Sequence, residues 1–191
     1  MPRLFTALWP APPAVEDLSA AVARLPRERV ERATADLGRF RFLPPERWHL
    51  TLRFHGAAEP EPLAARLDER VAELTARPRM RLAGSGVFRG VLWVGAEPAG
   101  EADAAALREL VRAADGDPET FRAHLTIARW STGRPRGLAG LLEAYAGPWW
   151  EAAEAALVRS DQDHTGSTYR TLHRAGLPSA NAGEPGDGPR P

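Results

Sequence analysis

Two stretches decide how this chain folds: Trp48-His49-Leu50-Thr51-Leu52-Arg53-Phe54, followed by Gly56, and Phe121-Arg122-Ala123-His124-Leu125-Thr126-Ile127-Ala128-Arg129-Trp130. Both alternate apolar with polar residues, which is the period of a strand with one buried face. Each carries His-x-Thr, once as His49-Leu50-Thr51-Leu52 and once as His124-Leu125-Thr126-Ile127. Alternation places His49 with Thr51 and His124 with Thr126 on one face. Leu50, Leu52, Leu125 and Ile127 then turn to a core. One His-x-Thr carries little information. Two, each in an alternating strand, suggest a duplicated plan that brings two imidazoles and two hydroxyls to a shared cleft.

The surrounding sequence reads as interleaved strands and helices. Strands are expected at Arg3–Trp9, Trp48–Phe54, Arg79–Phe88, Val91–Val94, Phe121–Trp130, Trp149–Arg159 and Tyr169–Arg174. A turn at Arg89-Gly90 joins the third and fourth. Helical spacing is expected over Ala14–Leu25, from Pro60 to about Ala76, over Ala102–Ala114, and briefly over Gly137–Tyr145. The proline-rich, charged stretch 26–46 reads as a loop with a short strand near Arg41–Leu43. The fold class that follows is α+β: two pseudo-symmetric lobes of mostly antiparallel sheet, with outer helices around a central cleft. Residues 1–177 read as one two-lobed domain. Residues 178–191, made mostly of Pro, Gly and Ala with Asn and Glu, read as a disordered tail.

Composition narrows the chemistry. The 191 residues include no cysteine, which excludes disulfides, zinc–thiolate sites and thiol nucleophiles. All 25 basic residues are arginine. Without lysine there is no P-loop and no Schiff-base or lysyl-adenylate chemistry. The 25 acidic residues bring the formal net charge to zero, so contact with nucleic acid is expected to be local, at an end or a single nucleotide. No apolar run has the length of a membrane span, and Met1–Pro10 lacks the pattern of a secretory signal. A cytoplasmic monomer is the expectation. Metal-ligand spacing and a Gly-x-Ser-x-Gly elbow are both missing, so neither a metal site nor a serine triad is expected.

Paired histidines suit the opening of a cyclic phosphodiester. One ring takes a proton from water and the other gives one to the departing sugar oxygen, each worth about 10²–10⁴-fold. Thr51 and Thr126 can donate to the non-bridging oxygens. Which histidine is acid and which is base stays open at this level.

These residues resemble the two signatures of the 2H phosphoesterase superfamily, closest to the RNA 2′,3′-cyclic phosphodiesterases known as the 2′-5′ RNA ligase family. The likeness rests on His49-Leu-Thr-Leu with Phe54 and Gly56, and on Phe121 to Arg129. It extends over residues 3–175 through Arg3-Leu-Phe-Thr-Ala-Leu, Gly86-Val-Phe88, Val91-Leu-Trp93, and Leu157-Val-Arg-Ser160 with Tyr169. The resemblance implies hydrolysis of RNA 2′,3′-cyclic phosphate ends or cyclic nucleotides to 2′-phosphates, with no metal or nucleotide cofactor. It also implies a reverse, ATP-independent 2′-5′ ligation. A 2H-type enzyme acting on ADP-ribose cyclic phosphate or a 2′-5′ oligonucleotide is an alternative, as is a non-catalytic module for RNA ends.

It further implies that Arg129 binds the substrate phosphate, although strict alternation turns Arg129 away from His124. Arg53, Arg122 and His55 share the motif faces by parity and are weaker candidates. His164 and His173 are expected at the surface. Phe5, Phe42, Trp48, Trp130 and Tyr169 are available to stack on a base, with core packing the default. Trp93 and Trp149 are expected to fill core or inter-strand space.

Overall fold

A computed structural model describes residues 3–88, 90–163 and 166–178. His164, and the expected tail beyond Pro178, lie outside the described residues. The element order is β1 (Arg3–Leu8), α1 (Pro12–Ala23), α2 (Arg27–Thr34), β2 (Arg41–Phe42), β3 (Leu50–Gly56), α3 (Pro60–Ala72), β4 (Arg79–Phe88), β5 (Val91–Pro98), α4 (Glu101–Ala113), β6 (His124–Arg129), β7 (Ala146–Glu151), β8 (Glu154–Asp163) and β9 (Gly166–Gly176). The nine strands among the described residues form one sheet, ordered β7-β4-β5-β6-β3-β1-β8-β9, with β2 beside β6. Every pairing is antiparallel. The fold class is α+β, as the alternation of strands and helices implies.

The sheet has two four-stranded wings that meet where β3 touches β6. One wing is β3-β1-β8-β9 and the other is β6-β5-β4-β7. The wings are not successive halves of the chain, as a simple duplication would give. The last two strands return to β1, so one wing is built from both ends of the described chain. The expected strand Trp149–Arg159 is in fact two strands, β7 and β8, on opposite wings. Three peptide steps connect Glu151 to Glu154, and they span no more than about 11 Å. Joining distant positions of the sheet by so short a link requires the sheet to curl.

The core lies between the outer face of the sheet and the helices. Leu8, Leu50, Leu82, Leu92, Leu125 and Ile127 of the strands are fully buried and belong to the same cluster as Leu18 of α1 and Leu110 and Val111 of α4. Leu63 of α3 covers Leu4 and Leu157. The inner face carries a smaller cluster, Phe5, Ala7, Ala156 and Val158, flanked by Trp9 and Tyr169.

Local chemistry sets the helix boundaries. Pro12 and Pro60 occupy first-turn positions, where a missing N–H costs nothing. The first helix therefore begins at Pro12 rather than Ala14. At the end of α4, Asp115 adopts φ 61° and Gly116 N donates to Val111 O at 2.8 Å. The Asp115 carboxylate then binds Arg66 and Arg70 of α3, tying the two helices together.

Two elements depart from the sequence expectation. Helix α2 falls in the stretch read as a loop. It buries only Ala33, so no apolar stripe marks it, and an exposed Arg27–Glu31 pair at 2.8 Å supports it instead. The helix expected at 137–145 contracts to a 3-10 turn, Ala139–Leu141. Gly137 takes φ 74° and so cannot open a regular helix, while Leu138, Leu141 and Leu142 still bury. No helix among the described residues is long and apolar enough to cross a membrane.

Candidate active site

The site is built where the two wings meet. In the β3–β6 ladder, Leu50 faces Leu125, and both are fully buried on the helix side. One step along the antiparallel pair sets His49 beside Thr126 and Thr51 beside His124, all on the inner face. Directly opposed Cβ atoms lie about 4.5–5.5 Å apart and diagonal ones about 7–8 Å. The two imidazoles are the diagonal pair. The Leu50–Leu125 contact thus acts as the local two-fold axis of a His–Thr, Thr–His square.

Both rings are held in the same way. His49 Nδ1 donates to Arg47 O at 2.8 Å, and His124 Nδ1 donates to Arg122 O at 2.6 Å. A carbonyl can only accept, so Nδ1 carries the hydrogen in each ring and Nε2 is left for chemistry.

A second symmetric feature follows each motif. In the β1–β3 ladder, Ala7 pairs Thr51 while Thr6 pairs Arg53, so Leu52 is an extra residue. In the β5–β6 ladder, Trp93 pairs Thr126 while Leu92 pairs Ala128, so Ile127 is extra. Each bulge reverses the parity of the residues that follow it, in β3 as far as a second irregularity between Phe54 and Gly56. Arg129 pairs Val91, two residues from Trp93, and so shares the face of Thr126. The bulge removes the conflict between strict alternation and an Arg129 aimed at the cleft. Its counterpart in β3 is Phe54, which pairs Phe5 and shares the face of Thr51. Phe54 is 70% exposed, with its ring 6.0 Å from that of Phe5. The pseudo-two-fold therefore relates a guanidinium to an open phenyl ring.

The same parity change removes two weaker candidates. Arg53 pairs Thr6, and His55 Nε2 lies 2.9 Å from Thr6 Oγ1, on the face opposite His49. Burial lowers the His55 pKa, Asp115 opposes the shift, and Arg53 and Arg66 add to it. Arg122 precedes β6 and contributes its carbonyl to His124. His173, expected at the surface, is half-buried and pairs with Asp68 of α3 at 2.7 Å.

The two rings have different surroundings. His49 stacks on Phe5 at 4.9 Å and meets the rings of Trp9 and Tyr169 at 5.1 Å each. His124 meets Phe88 at 5.2 Å and Trp93 at 6.3 Å. Burial among aromatics pushes the His49 pKa down to about 4; its hydrogen bond to Arg47 O opposes this, and the charges of Arg129 and His124 add to it. Arg129 and His124 are thus both close enough to act on His49 electrostatically.

Trp93 is a site-lining residue rather than core filler. Trp48 is buried, and its Nε1 donates to Leu43 O at 3.1 Å, while Phe42 packs against Phe40 at 5.1 Å. Trp149 lies under Arg79 and Arg81 on the far edge of the sheet. Period-two reading misses Phe54, Trp9, Phe88 and Trp93 at the site. Phe54 is hidden by the bulge, and the other three come from strands or loops with no motif of their own. Among the described residues no group of three His, Cys, Asp or Glu side chains is placed to hold a metal ion.

The Arg129 effect on His49 gives a testable consequence. A proton-accepting His49 must be neutral, so activity should fall on the acid side only as pH approaches about 4. Arg129→Gln removes a positive charge that disfavours protonation. Burial, the larger cause, remains, so the acid limb of kcat/KM is expected to move up only part of the way from about 4, alongside a loss of about tenfold or more in kcat/KM, the size expected of a phosphate-binding guanidinium. A pH–rate profile checks both.

Comparison with known proteins gives the family and the fold. The model of the 2′-5′ RNA ligase superfamily matches residues 21–164, which includes both motif strands. No curated protein matches. Among solved structures, TT0787 of Thermus thermophilus is 30% identical over 92% of this chain and 97% of its own, with a TM-score of 0.62. E. coli LigT, solved in complex with ATP, shares the fold at 18% identity over 94% of this chain and all of its own, with a TM-score of 0.63. A further structure described as a phosphoesterase matches at 21% identity over 94% of this chain and all of its own, with a TM-score of 0.58. With its two wings joined at a doubled His-x-Thr and most of its length matched, this chain belongs to the 2′-5′ RNA ligase superfamily of 2H phosphoesterases.

Proposed function

We propose that this chain hydrolyses the 2′,3′-cyclic phosphate at an RNA end to a 2′-phosphate, using His49 and His124 as its acid–base pair. The reading is supported above all by the Leu50–Leu125 pairing, which puts the two histidines on the diagonal of one inner-face square. That E. coli LigT has been solved with phosphate and with 3′-AMP supports a nucleotide phosphate as the ligand class.

The step balances with these residues alone. Water attacks phosphorus, and its proton passes to neutral Nε2 of His49, whose surroundings disfavour the charged ring. The bond from phosphorus to O3′ breaks, and protonated His124 delivers a proton to that oxygen. The product carries a 2′-phosphate and a 3′-hydroxyl. Thr51 and Thr126 donate to the non-bridging oxygens, and Arg129 pairs with the charge that builds on them. The same step with an RNA 5′-hydroxyl in place of water attacks phosphorus, breaks the bond to O3′ and gives a 2′-5′ linkage.

The test is hydrolysis of adenosine 2′,3′-cyclic phosphate in EDTA, with the product identified. Turnover to the 2′-phosphate is expected. No turnover, or a 3′-phosphate product, would overturn the proposal. Phe54 offers its open ring to the base of that substrate. Phe54→Ala is expected to raise KM by about five- to a hundredfold, the range for one lost stacking contact, with kcat little changed. An unchanged KM would remove Phe54 from the site.

A further inference from the structure

Strand β2 is only Arg41 and Phe42, yet it sets one side chain firmly. Arg41 pairs directly with Arg129, and Phe42 with Ala128. Directly opposed residues share a face, so Arg41 stands on the cleft side beside Arg129, on the edge of β6 that β3 also occupies. The placement is anchored on both sides. Leu43 N donates to Ile127 O at 2.8 Å, Ser131 N donates to Gly38 O at 2.8 Å, and Gly38 N donates to Thr132 O at 3.0 Å. Gly133, at φ 91°, packs so tightly against the backbone of Asp36 that a Cβ there would collide with it.

Two like charges directly opposite in a ladder destabilise it. Elsewhere this protein matches arginine with carboxylate, as in Arg81–Glu97 and Arg159–Asp161. Arg41 and Arg129 are both exposed, and neither has an ion-pair partner among the described residues. An anionic ligand with charges in series would relieve the repulsion. The other exit from His49 does not suit such a ligand. Past Trp9 and Tyr169 lies a cavity of about 590 Å³ lined by Glu46, Glu151, Glu154 and Arg174. There Arg77 pairs with Glu151 and Arg174 with Glu154, which leaves Glu46 without an ion-pair partner among the described residues and no arginine free for an anion.

We propose that Arg41 binds the phosphodiester on the 5′ side of the terminal nucleotide, while Arg129 holds the reacting phosphate. The enzyme thereby favours an RNA strand end over a free cyclic mononucleotide. This rests on the cyclic phosphodiesterase reading and adds a strand direction to it: the RNA leaves the cleft over β2.

The experiment compares adenosine 2′,3′-cyclic phosphate with an adenosine trinucleotide ending in the same group. Arg41→Gln is expected to raise KM for the trinucleotide about tenfold, while KM for the mononucleotide stays within about twofold. A trinucleotide with an uncharged methylphosphonate at its last internucleotide linkage should show the same KM with wild type and Arg41→Gln. Equal effects of Arg41→Gln on both substrates, or none on either, would overturn the proposal, as would loss of the methylphosphonate substrate's insensitivity. Binding of a 2′-phosphate-ended trinucleotide to His124→Ala, with and without Arg41→Gln, reads the contact without turnover. Absent hydrolysis in wild type therefore counts against the catalytic reading, and equal affinities in this pair count against the Arg41 contact.

Discussion

His124→Ala is expected to lower kcat for a 2′,3′-cyclic nucleotide by about 10²–10⁴-fold, the usual worth of a positioned proton donor. The fold should persist. The His124 ring only touches the edges of Phe88 and Trp93, and its single fixed hydrogen bond is to the Arg122 carbonyl. His49 is more enclosed, packed by Phe5, Trp9 and Tyr169, so His49→Gln is the better probe there, with a loss of the same order. With both rings proposed to serve one step, the double variant should be little worse than the worse single one. Circular dichroism and thermal melts verify folding. Full turnover in either folded single variant would refute the pairing.

The second large effect is structural. Leu125→Ala removes a fully buried side chain at the point where the wings join, and should cost about 2–5 kcal/mol. Leu18→Ala, at a fully buried position on α1 in the same cluster, should cost a comparable amount. The two should differ in activity per folded molecule. Leu125 faces Leu50 and thereby sets the spacing of the His–Thr square, so its loss should reduce kcat as well. Leu18 lies remote from the inner face, and its variant should turn over normally once folded. Denaturant midpoints and kinetics on the folded fraction separate the two effects. Equal activity in both variants would mean that the hub pair does not set the site geometry.

Much of this was legible in the residues. Alternation placed His49 with Thr51 and His124 with Thr126, and buried Leu50 and Leu125 behind them, because each motif precedes its bulge. Beyond Leu52 and Ile127 the same rule misplaces Phe54, Arg53, His55 and Arg129, since one extra residue reverses the side chains that follow it. Nothing in the composition of Leu-Arg-Phe or Ile-Ala-Arg marks an extra residue; the offset exists only relative to the neighbouring strands β1 and β5. Helix α2 left no apolar period to read because it buries a single alanine. The return of β8 to β1 is likewise a matter of long-range pairing, which a local pattern does not encode. The aromatic setting that depresses the His49 pKa comes from Phe5, Trp9 and Tyr169, side chains far apart in sequence that the curl of the sheet gathers.

The most direct test titrates adenosine 2′-phosphate into the protein while following the imidazole nitrogens of all histidines by NMR. Nε2 of His49 and Nε2 of His124 should shift together along one binding curve with one Kd, while His173, engaged with Asp68, stays still. A response from only one of the two rings, or two separate binding curves, would contradict a shared phosphorus centre.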